Sequence, residues 1–178
     1  MLSTLRRPLL LALVAASLVA CKGDSPPLVM NAKEAGIKLD VLKGTGHIKG
    51  KIKPESGTFP AGARLMLTMK EVGKNDFPFS SFEDGGIYTS SIDLTADASA
   101  VPFEISDLSD GQYRLKSIVY LDLKSRLTDP VARKLRAGDF AGVYTGGPAP
   151  SQDLKQAKPI EIKGDQTVEV VLPVSKMP

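Results

Sequence analysis

From Gly46 onward apolar residues recur at every second position, and that period limits what this chain can fold into. Ile48, Gly50 and Ile52 alternate with His47, Lys49 and Lys51, and Leu65, Leu67 and Met69 alternate with Arg64, Thr68 and Lys70. Val101, Phe103 and Ile105 make a third set, and Tyr113, Leu115, Val119 and Leu121 share one face opposite Arg114, Lys116 and Asp122. Successive side chains of a strand point to opposite faces, so each run describes a strand with one buried and one solvated side. Ile87–Leu94 reads as a further strand. Ile160 and Ile162, then Val168, Val170 and Leu172, flank Gly164-Asp165-Gln166 and read as a closing hairpin. About seven short strands separated by Gly, Pro and Asp turns predict a mainly β domain, an antiparallel β-sandwich. One short helix is expected within it, with Thr128 or Asp129 as cap, Pro130 in the first turn, Val131–Arg136 as body and Gly138 as the left-handed stop.

The N-terminal residues follow a different logic. Arg6 and Arg7 precede an apolar run, Leu9–Leu18, that is shorter than the roughly 20 residues needed to span a bilayer. A charged start, a short apolar core and a small-residue cut site make residues 1–20 a signal peptide. The segment Leu18-Val19-Ala20-Cys21 resembles the lipobox of bacterial lipoproteins, and that resemblance implies acylation of Cys21, the one cysteine in the chain. Two or three acyl chains, at about 0.8 kcal/mol per buried CH₂, hold a protein firmly on a bilayer. Lys22 stands where many lipoproteins retained at the inner membrane carry Asp, so the resemblance implies the outer membrane, with the protein facing the periplasm. Residues 21–45 open on Lys22-Gly23-Asp24-Ser25-Pro26-Pro27 and are expected to be a lipid-anchored tether. Extended, its two dozen residues would reach at most about 80 Å. Ile37, Leu39 and Val41 alternate with Lys38 and Asp40 and fit either a strand or a segment lying on the domain. Residues 46–178 are then the sandwich domain.

Composition narrows the function classes. The formal charge of +3 falls to about +1 once Arg6 and Arg7 are removed, and no basic block stands out, so nucleic acid is not an expected partner. The chain has a single histidine and no tryptophan. Any Ser–His or Cys–His nucleophile would have to use His47, which lies on the polar side of a strand with no acidic neighbour in sequence. The expected role of His47 is that of a solvent-facing strand residue. No His/Cys cluster suggests zinc. Two-carboxylate glycoside chemistry needs only acids, yet no pair is marked out by its surroundings. An enzyme is not expected.

Asp107-Leu108-Ser109-Asp110-Gly111-Gln112-Tyr113-Arg114-Leu115 contains a G-x-Y-x-L strand entry, and Gly138-Asp139-Phe140-Ala141-Gly142-Val143-Tyr144 a G-D-x-x-G-x-Y element. Together with Gly46–Ile52 these resemble transthyretin-like (prealbumin-like) and carboxypeptidase-regulatory-like sandwich domains. Relatives with a calcium-type loop alternate Asp, Asn and Gly after the entry strand, whereas here Asp122-Leu123-Lys124-Ser125-Arg126-Leu127-Thr128-Asp129 follows. Calcium takes six to eight oxygens. Asp122, Asp129 and Asp139 beside Lys124 and Arg126 make a poor cage, so helix capping and loop fixing are favoured over a divalent-ion site at these three. No cofactor is expected, calcium being the one candidate. Phe77, Phe79 and Phe82 lie in Val72–Gly86 among prolines, serines and acids. Packing beneath a sheet edge is favoured, with a partner-binding loop as the alternative. The expected function is a lipid-anchored, periplasm-facing, non-enzymatic binding module for an envelope protein or glycan. The alternatives are a structural or assembly subunit of an envelope complex and a carbohydrate-active hydrolase.

Overall fold

The computed structural model describes residues 27–31, 42–73, 87–122 and 135–178. The described strands are β1 (Leu28–Met30), β2 (Gly46–Pro54), β3 (Arg64–Glu71), β4 (Ile87–Asp93), β5 (Val101–Leu108), β6 (Gly111–Tyr120), β7 (Phe140–Val143), β8 (Ile160–Ile162) and β9 (Thr167–Lys176), all but β1 and β7 lying where sequence reading expected a strand. The protein is mainly β. Leu154–Gln156 adds one 3-10 turn, capped by the Asp153 carboxylate, which accepts from the Lys155 N–H at 3.0 Å. Of the short helix expected at 128–136, most lies outside the described residues, and Leu135 and Arg136 are not helical.

The strands join in one sheet of order β1-β5-β2-β9-β7-β6-β3-β4, with β8 also paired to β6. β4 returns to β1, where Ser90 Oγ donates to the Val29 carbonyl at 3.1 Å. The sheet is therefore barrel-like and nearly closed, not the two facing antiparallel sheets the alternation led us to expect. β9 makes the difference. It runs parallel to β2 from His47↔Thr167 to Pro54↔Val174, then pairs antiparallel with β7 through Ser175 and Lys176. One strand thus belongs to both halves and carries the ladder between them. β1 is also parallel to its neighbour β5, and it comes from the stretch read as tether. Alternation cannot separate the two architectures, because an inward face looks the same whether it meets a second sheet or a barrel interior.

The closing hairpin is likewise replaced by a crossover. β8 pairs with β6 while β9 pairs with β2 and β7, so the Gly164-Asp165-Gln166 turn passes between the halves. The β5–β6 connection crosses beside it, and the two are tied where the Gly164 N–H donates to Asp110 Oδ1 at 2.7 Å. Tyr113 pins the same crossing as a tyrosine corner, its hydroxyl donating to the Ser109 carbonyl at 2.7 Å. Burial, helped by Glu71, Tyr88 and Asp110, pushes this phenol up to about 12.

Ile48, Ile52, Leu65, Leu67, Met69, Ile105, Leu115, Val119 and Leu172 fill the interior and are fully buried. Phe59, from the β2–β3 connection, closes the end opposite Gly164. It bridges to Ala98 and meets Phe140 edge-on, with ring centroids 5.4 Å apart at 89°. Gly50 faces inward against the Phe103 ring and the Val170 carbonyl, where any Cβ would collide with that oxygen. Glycine at this point lets β2 lie between β5 and β9.

Candidate functional site

The outer face of β5-β2-β9 carries a broad recess. It is an open groove of about 670 Å³ lined by Pro27, Lys49, Lys51, Lys53, Pro102, Glu104, Glu169 and Val171 beside the backbone around Gly50. Strand alternation turns Lys49, Lys51 and Lys53 outward along β2 while Ile48 and Ile52 go inward. Register then decides what stands beside each lysine. Lys49 lies between Glu104 on β5 and Glu169 on β9, whereas Lys51 lies between Pro102 and Val171. Pro27, one step before the Leu28↔Phe103 pair, falls next to Pro102.

The groove therefore has two ends of different character. At the acidic end Lys49 Nζ sits 3.2 Å from Glu104 Oε1, and His47 Nδ1 is 3.9 Å from the same oxygen. Sequence placed no acid near His47; the β2–β5 pairing supplies one. At 3.9 Å the contact is too long for the hydrogen bond that orients a catalytic base. At the other end Lys51 and Lys53 are exposed and make no ion pair among the described residues. Their neighbours are apolar, and Val171 keeps 46% of its surface in solvent. The chemistry on offer is two solvated ammonium groups framed by proline and valine, suited to an anionic partner with some apolar contact.

A second cationic group is less accessible. Lys70 and Arg114 are directly opposed on β3 and β6, with Lys116 opposite Thr68 on the same outer side. Lys70 is only 2% exposed, and burial pushes the Lys116 ammonium pKa down.

The residues singled out from sequence are not gathered into this groove. Asp139 is fully buried and fixes its loop, its carboxylate accepting from the Leu121 N–H at 3.2 Å and the Arg136 N–H at 2.9 Å. Asp122 is exposed at the end of β6, and Asp129 lies outside the described residues. Among the described residues no group of three or more His, Cys, Asp or Glu side chains could hold a metal ion. Phe77, Phe79, Phe82 and Cys21 also lie outside the described residues, and no described helix is long and apolar enough to cross a membrane. Sequence reasoning passed over Lys51, Lys53, Pro102 and Val171. The lysine alternation was visible, but only pairing across three strands brings the apolar residues beside it. The chain matches no protein-family model and no curated protein.

Proposed function

We propose that this protein is a non-enzymatic binding module of the bacterial envelope, tethered through lipid on Cys21 to the periplasmic face of the outer membrane, and that it binds through the outer groove of β5-β2-β9. The observation that carries the reading is the Lys51–Lys53 end of that groove. Two exposed cations without ion partners among the described residues sit in an apolar frame on a hydrogen-bonded sheet, a surface better suited to contact than to chemistry. The signal-peptide pattern and the lipobox-like Leu18–Cys21 support the location. The likeness of Gly111–Leu115 and Gly138–Tyr144 to transthyretin-like modules agrees with a binding role.

Replacing Lys51 by a photocrosslinking amino acid in intact cells tests this, with Glu161 on β8, 57% exposed, as the control position. The expected result is a reproducible adduct at position 51 and none at 161. Equal or absent adducts at both positions would exclude the groove as the binding surface.

A further inference from the structure

β1 shortens the leash on this domain. The tether was expected to run to about residue 45, but Leu28–Met30 is already hydrogen-bonded into the barrel beside β5. Only the residues between Cys21 and Pro27 separate the lipid-bearing thioether sulfur of the proposed function from the folded sheet. Fully extended, that stretch reaches no more than about 20 Å. Because β1 is parallel to β5 and Pro27 precedes it, the chain enters at the Val101–Pro102 end of β5. That is the Lys51–Lys53 end of β2, since Lys51 pairs with Pro102 and Ile52 with Val101. The anchor thus joins the barrel beside Lys51 and Lys53, not beside the Glu104–Lys49–Glu169 row.

We propose that the Lys51–Lys53 end of this face is a membrane-docking surface, which lays the barrel against the anionic headgroups of the leaflet that holds its anchor. This rests on the lipid-anchor reading and names the partner of the same groove. Three features converge on it. Lys51 and Lys53 supply cations without competing acids in their own rows. Pro27, Pro102 and the exposed Val171 supply apolar contact at headgroup depth. The short leash supplies proximity: attraction to headgroups acts within a Debye length of about 8 Å, which a free protein rarely samples and a leashed one samples constantly. Each lysine near an anionic surface favours the docked state about fivefold, so two give a shift on the order of twentyfold over the undocked orientation.

The test uses the mature acylated protein reconstituted into vesicles of phosphatidylcholine alone or of phosphatidylcholine with phosphatidylglycerol. Lysine acylation is mapped by mass spectrometry. Lys163 is the reference, because it is 72% exposed on the β8–β9 crossover at the opposite end of the barrel. Labelling of Lys51 and Lys53 relative to Lys163 should fall severalfold in the anionic vesicles only, and return in high salt. With Lys51→Glu, Lys53 should label equally in both vesicle types. Equal labelling of Lys51 and Lys53 in both vesicle types, with the protein still floating with the lipid, would overturn the docking surface and leave the anchor intact. An intact mass showing unmodified Cys21, or failure to float with any vesicle, would overturn the anchor and the docking surface with it.

Discussion

Tyr113 sits where the chain leaves one half of the barrel for the other, and its single hydrogen bond to the Ser109 carbonyl holds that crossing in place. Tyr113→Phe keeps the ring and leaves the carbonyl without this donor, which should cost about 1 kcal/mol in chemical denaturation. The same hydroxyl sets an alkaline limit. Its folded pKa, pushed up to about 12, lies above the ordinary value of 10.0, so the folded state holds the proton more tightly than the unfolded chain. The stabilisation is complete below pH 10 and is lost as pH rises from 10 towards 12. Stability profiles of the wild type and Tyr113→Phe should therefore converge across that window; parallel profiles would show that the phenol is not the group titrating. Asp139 serves the opposite end of β6 in a similar way, with both oxygens engaged by the backbone N–H groups of Leu121 and Arg136. A sequence containing Asp122, Asp129 and Asp139 invites thoughts of a cation, yet a short acidic side chain satisfying loop amides is the commoner use.

Among elements, the edge strands decide whether the sheet closes. β1 is three residues long, and Ser90 on β4 ties to it through the Val29 carbonyl. Ser90→Ala should cost about 1 kcal/mol, and amide exchange should rise in Leu28–Met30 well before it rises in β2 or β6. A uniform rise across all strands would mean the seam is not a separate opening unit. The strands themselves were legible: the alternations of β2, β3, β5, β6 and β9 follow from strand geometry alone. Their partners were not. Val168–Leu172 reads identically whether it turns back on Ile160–Ile162 or runs parallel to β2, since pairing depends on contacts distant in sequence. β1 was missed because Leu-Val-Met follows two prolines and is too short to show a period. The groove shared this fate. Lys49, Lys51 and Lys53 could be read as a polar face, but Glu104 reaches Lys49 and Val171 reaches Lys51 only through β2's two different neighbours.

At the scale of the molecule, β9 joins β5-β2 on one side to β7-β6-β3 on the other. A chain lacking residues 167–178 would leave two partial sheets with their apolar faces exposed, and it should show no cooperative thermal transition by circular dichroism. A sharp transition in that truncated chain would show that one half folds without the other. Because β9 follows the other described strands in sequence, a chain that emerges from the ribosome N-terminus first delivers its keystone last. The eight described strands before it have no closed sheet to join until β9 arrives. A copy cut short of β9 stays open, with the apolar faces of its strands bare. The parallel placement of one late strand thus acts as an inspection of length, carried out by folding itself.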